Sequence, residues 1–178
     1  MSKPRLYLDS CVFIDLAKVS LEIGTEELDP SRRDDVWFAR RLCDASRDGA
    51  VEIFTSTITV AECQHVEGVV TDPIKELFDA FLMSGRVVTL VSADLFVAEE
   101  ARRLRWDYNL SLAGADAIHL ASAKLVKCSE FVTTDGHLRK QKIQSAKTVL
   151  EDNFIKIIRA SQTRLLPREY RQADMLRG

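Results

Sequence analysis

"RLYLDSCVFIDLA", residues 5–17, carries the reading of the fold. Its opening residues are a short apolar run that does not alternate with polar positions, which predicts a strand buried on both faces. The run stops at Asp9 and resumes as a helical pattern over 11–19. A second stretch, "EFVTTDGHLRK" at 130–140, has the same build: Phe131 and Val132, two threonines, then Asp135. In parallel α/β sheets, ligands gather outside the carboxyl ends of the strands. Asp9 and Asp135 both fall there, where an acid serves equally as a helix N-cap or as a functional group.

Further apolar runs at 51–54, 87–91 and 154–158 resemble the first. Helical patterns separate them at 34–48, 57–68, 73–84, 93–108 and 113–127. Strands alternating with helices predict a three-layer α/β/α sandwich around a mainly parallel sheet of about five strands. Local signals agree: Asp72 before Pro73 opens a helix, Ser84 and Gly85 close it, Ser92 or Asp94 caps the next, and Gly49 ends the second. The polar stretch 20–35, with Gly24 and Pro30, is expected to be a loop or short helix near the site. Residues 1–160 are read as one domain, with 161–178 a basic extension of it, helical after Pro167 or disordered.

A length of 178 residues, with 46% hydrophobic and 29% charged, is enough for one domain with a full core. Cys11, Cys43, Cys63 and Cys128 form no C-x-x-C pair, so neither a zinc site nor a disulfide framework is indicated. Reduced thiols and a cytoplasmic protein are expected. Asp9 and Asp15 break the first apolar run too early for a signal peptide, and no segment is long enough to span a membrane. The net charge of -2 hides an asymmetry: 15 Lys/Arg against 23 Asp/Glu in 1–135, but 10 against 4 in 136–178. A basic end on an acidic body suits a chain that holds a polyanion, although a solvated terminus carries the same signature.

Two more acids stand out. Glu62, in "TSTITVAECQHV", either closes a capping box with Thr59 or, if the helix starts at Ser56 or Thr57, lies in its second turn and projects towards the strand ends. Asp116, in "LAGADAIHLASAKLV", lies in a first turn beside a face of Ala113, Ala117, Ala121 and Leu125. A first-turn acid also complements the helix dipole. His119, three residues on, is given no chemistry.

Taken in order, "LYLDSCVFIDLA", "STITVAE", "LAGADAIHLASA" and "FVTTDGHL" resemble the PIN-domain ribonucleases, in particular the VapC-like toxins of bacterial toxin-antitoxin pairs. The four pieces span residues 6–138. The resemblance implies a PIN-like fold in which Asp9, Glu62, Asp116 and Asp135 converge at one end of the sheet. Ser10 would then orient the first carboxylate or a water, and Thr133 would support the site through its hydroxyl. It also implies a cognate antitoxin protein and a homodimer. The enlarged 20–35 segment, Cys63 after Glu62 and the basic tail depart from the simplest family pattern.

Carboxylates brought together repel unless protonated or bound to a cation. An all-oxygen cluster selects hard ions, so Mg²⁺ or Mn²⁺ is expected as cofactor and zinc is not. Such an ion activates water and neutralises charge on a phosphodiester, and no covalent nucleophile is needed. The expected function is a metal-dependent endoribonuclease that hydrolyses RNA, leaving, by family analogy, 5′-phosphate and 3′-hydroxyl ends. Asp9 and Asp116 are the leading metal ligands, with Glu62 and Asp135 completing the shell or positioning water. Arg139, Lys140 and Lys142 are the candidates for holding the RNA backbone, against a solvent-facing helix turn as the plainer reading. The rival is a catalytically silent PIN-like module that binds RNA or protein. A receiver domain would show neighbouring acids after its first strand, and an Asp-nucleophile phosphatase a second Asp at position 11; Ser10 and Cys11 stand there instead.

Overall fold

The structure, a computed structural model, describes residues 3–27, 29–112, 114–136 and 155–172. Five strands form its sheet: β1 (Arg5–Leu8), β2 (Glu52–Ser56), β3 (Thr89–Val91), β4 (Glu130–Val132) and β5 (Lys156–Ile158). They lie in the order β3-β2-β1-β4-β5, and every pairing is parallel. The described α-helices are α1 (Ser10–Ser20), α2 (Pro30–Arg47), α3 (Thr57–Glu62), α4 (Asp72–Leu82), α5 (Leu95–Trp106), α6 (Gly114–Leu125) and α7 (Arg168–Arg171).

Strand pleating sorts the apolar side chains into two cores. Leu6, Leu8, Ile53 and Val132 join Val12, Phe13 and Leu16 of α1, with residues of α2 and α4, on one face. Their neighbours Tyr7, Phe54 and Phe131 point the other way, onto α5 and α6 through Leu104, Leu120 and Ala121. Alternate residues of one strand serving opposite cores is what a period of two demands. It also explains why these strands read as continuous apolar runs.

The chain departs from its predicted pattern in two places. Helix α2 begins at Pro30, inside the stretch expected to be a loop or short helix, because Asp29 caps it by accepting from Arg32 N (2.9 Å) and Pro30 fills the first turn. Its first turn is polar, so the apolar spacing that marks a helix starts only at Val36, which is buried. Helix α3 ends at Glu62 rather than near residue 68. Beyond it, Val66 and Val69 exchange two backbone hydrogen bonds (3.0 and 2.9 Å) across Glu67 and Gly68. Both of those residues have positive φ (49° and 74°), the conformation of a two-residue hairpin turn.

Residues beyond β5 fold back onto the body. Thr163 donates from its hydroxyl to buried Glu130 (2.5 Å), which also accepts from Arg164 N (3.1 Å). Asp35, buried in α2, accepts from Ser161 N and Oγ (3.1 and 2.6 Å) and pairs with Arg159 (2.8 Å). The described part of the basic extension is therefore packed against α2. Among the described residues no helix is long and apolar enough to cross a membrane, and all four cysteines are free thiols.

Phe131 is fully buried in β4 and stacks on Tyr7 with ring centroids 5.1 Å apart. Phe131→Ala should cost about 3–5 kcal/mol of stability. Urea unfolding checks this, and a loss well below about 1 kcal/mol would contradict the two-core packing.

Candidate functional site

The strand order reverses beside β1: β2 and β3 extend to one side, and the chain then crosses to β4 on the other. A crevice therefore opens at the carboxyl ends of β1 and β4, where the register sets Leu8 opposite Val132. Asp9 follows β1 immediately, with its N–H bonded to Val132 O (3.0 Å). Thr133 follows β4, and its hydroxyl donates to Asp9 Oδ2 (2.7 Å) while accepting from Asp135 N (3.0 Å). One hydroxyl thus ties both strand-end acids. Asp9 Oδ1 accepts from Ser10 N (2.8 Å), so this aspartate is the N-cap of α1 as well as a member of the crevice.

Glu62 is brought in by two buried threonines. Thr55 donates to Leu8 O (2.8 Å) and its hydroxyl lies 2.6 Å from that of Thr59, which fastens the start of α3 beside the end of β1. Ser56 caps α3, accepting from Ile58 N (3.2 Å), so the earlier of the two possible helix starts is the one used. Glu62 closes the helix half-buried, facing the crevice. Asp116 lies in the first turn of α6. Burial raises its carboxyl pKa, and the negative charges of Asp9, Asp135 and Glu62 raise it further. The α6 dipole and His119 act the other way and favour the carboxylate.

Three residues given no role from the sequence stand among the acids. His119 is 1% exposed, with Nε2 2.9 Å from Glu62 Oε2 and 3.8 Å from Asp9 Oδ1. Its other ring nitrogen, Nδ1, is 2.8 Å from the Tyr7 hydroxyl. The hydrogen bond from His119 lowers the Glu62 pKa. Cys11 Sγ lies 3.4 Å from both Asp9 Oδ2 and Thr133 Oγ1. Burial and then the Asp9 charge push its thiol up to about 12, so it stays a weak donor rather than a thiolate. The i, i+3 spacing of Asp116 and His119 was the available signal for the histidine. Tyr7 gave none, since a tyrosine inside an apolar strand reads as core.

In donor chemistry the four carboxylates suit a hard divalent cation, and the charge that raises the Asp116 pKa is what a cation would relieve. As the side chains stand, no three His, Cys, Asp or Glu residues among those described form a ready shell for one ion. Asp9 Oδ2 is engaged by Thr133 and Glu62 by His119. Arg139, Lys140 and Lys142 lie outside the described residues. A described cation nearby is Arg32, whose Nε bonds buried Asp15 (3.0 Å), as does the Thr134 hydroxyl (3.0 Å) just before Asp135.

Against protein-family models, residues 6–143 match the PIN domain. Among solved structures the chain is similar to one in the crystal structure of VapBC2 from Rickettsia felis bound to a DNA fragment from their promoter. The TM-score is 0.54 at 13% identity, covering 86% of this chain and 98% of that one, a likeness of fold. No curated protein matches.

The raised Asp116 pKa fixes a sign. Folding holds that proton more tightly, so Asp116 contributes stability at low pH that is lost as pH rises through its folded pKa. In EDTA, Asp116→Asn should therefore melt higher than the wild type at neutral pH, with the advantage vanishing below about pH 4. Thermal melts across pH check this; an Asn variant no more stable at pH 7 would contradict the crowding of like charge.

Proposed function

The chain belongs to the PIN domain family, and on that premise we propose that it is a metal-dependent endoribonuclease, the toxin of a toxin-antitoxin pair. The observation that carries the reading is geometric: at the sheet's switch point one Thr133 hydroxyl ties Asp9 and Asp135, and His119 Nε2 lies 2.9 Å from Glu62 and 3.8 Å from Asp9. Asp9 and Asp116 would hold Mg²⁺ or Mn²⁺, with Glu62 and Asp135 completing the set or holding the attacking water. The ion, when bound, supplies charge neutralisation and water activation at a phosphodiester.

The chain's own residues have separate tasks in this reading. Thr133 and Ser10 N hold Asp9 with its carboxylate fixed, so little is spent on ordering it at the moment of reaction. An acidic crevice repels RNA, and backbone contacts must come from cations at its rim. Arg139, Lys140 and Lys142 are proposed for this, together with Arg32, whose Nε is held by buried Asp15 (3.0 Å). Leu95 and Phe96, exposed at 71% and 76% at the start of α5, offer apolar surface to a protein partner, an antitoxin or a second copy of the chain. Action on cellular RNA would place the protein in the cytoplasm, in keeping with its free thiols.

Purified protein should cleave RNA in Mg²⁺ or Mn²⁺ and not in EDTA. Asp9→Asn and Asp116→Asn should each lower cleavage by about 100-fold or more, on the scale of losing metal-held charge stabilisation. Cleavage that survives both substitutions would contradict the assignment. Binding without cleavage across several RNA classes would establish the silent module in its place. Saturating Mn²⁺ should also raise the melting temperature, since an ion at 100 times its Kd adds about 2.7 kcal/mol of stability; no rise would contradict a cation site in the folded protein.

A further inference from the structure

We propose that His119 is a positioning residue for the acid cluster: held through Nδ1 by the Tyr7 hydroxyl, it donates its Nε2 hydrogen to Glu62 and fixes that carboxylate for metal binding. This deepens the nuclease reading and rests on it.

The hydrogen pattern follows from the partners. A carboxylate accepts and has no hydrogen to give. The 2.9 Å contact from His119 Nε2 to Glu62 Oε2 therefore carries its hydrogen on Nε2. With that hydrogen on Nε2, the singly protonated ring offers Nδ1 as an acceptor, and the Tyr7 hydroxyl 2.8 Å away can supply the donor. A phenol O–H is a donor as well as an acceptor, so Tyr7 can fill that role. A buried imidazole with both nitrogens engaged in this way has one tautomer and one orientation.

The ring is also braced. Tyr7, fully buried in β1, stacks on Phe131 and meets His119 edge-on, with centroids 5.8 Å apart and planes at 66°. The order Phe131, Tyr7, His119, Glu62 therefore runs from the centre of the sheet to the crevice. Glu62 needs such a support more than the other acids. It closes a six-residue helix followed by a hairpin loop, whereas Asp9 is locked by strand-end contacts to Thr133 and Ser10 N. Partners of this kind behind a ligand typically change metal affinity by 10–100-fold when removed.

A core histidine that is merely satisfied would show the same contacts, so the test must separate position from stability. In the full chain without divalent ion, long-range 1H–15N correlation should place the His119 hydrogen on Nε2. Mn²⁺ affinity, measured per folded molecule by electron paramagnetic resonance, should weaken by about 10-fold or more in His119→Leu. His119→Gln, whose amide nitrogen can still donate to Glu62, should recover most of that loss, and Tyr7→Phe should show a smaller weakening than His119→Leu. An Nδ1–H tautomer, or His119→Leu binding Mn²⁺ as the wild type does, overturns the proposal even if RNA is cleaved normally. Wild type that binds Mn²⁺ but cuts no RNA sinks the nuclease reading alone, leaving the affinities to decide the role of His119. Wild type that binds no Mn²⁺ overturns both.

Discussion

The parallel pairing of β1 with β4 is the constraint on which the site depends. It sets Leu8 beside Val132, which puts Asp9 within reach of the Thr133 hydroxyl and lets that hydroxyl receive the Asp135 N–H. Two acids 126 residues apart in the chain are thereby fixed by one side chain. The same pairing creates the switch point, because the chain must leave the β3 side of the sheet to reach it. Glu62 and Asp116 then arrive on helices α3 and α6, which the sheet has already placed: α3 tethered by Thr55 to Leu8 O, α6 by the second apolar core.

Concentrating acids in this way works against stability, and the fold offsets it locally. The carboxylates of Asp9, Asp15 and Glu62 each accept hydrogen bonds, from Thr133, from Arg32 and Thr134, and from His119 respectively. Buried charges elsewhere follow the same rule, with Asp35 and Glu130 met by donors of the segment after β5. Asp116 differs, since its shift is upward. Burial first, and then the charges of Asp9 and Asp135, disfavour its carboxylate. A nearby cation would relieve the part of that cost that comes from like charge.

Much of this was legible in the sequence, for reasons that particular elements show. The five strands announced themselves because burial on both faces leaves continuous apolar runs, as in Leu6, Tyr7 and Leu8. Asp9 and Asp135 were visible because they end such runs. The opening of α2 was not, since its first turn is polar and its helix signal lies in the Asp29 cap and Pro30 rather than in apolar spacing. The end of α3 was missed because Val66 and Val69 continue the apolar pattern while belonging to a hairpin turn. His119 and Tyr7 were undervalued for a different reason. Their importance lies in a contact between residues 112 positions apart, and no local pattern encodes it.

On the proposed reading, Asp9 and Asp116 would hold a divalent cation in the crevice at the ends of β1 and β4. Diffraction from crystals soaked in Mn²⁺, recorded at the manganese absorption edge, addresses it directly. The account predicts an anomalous peak within coordinating distance of both carboxylates. Crystals that show a manganese peak elsewhere on the molecule, or none at saturating Mn²⁺, would contradict it.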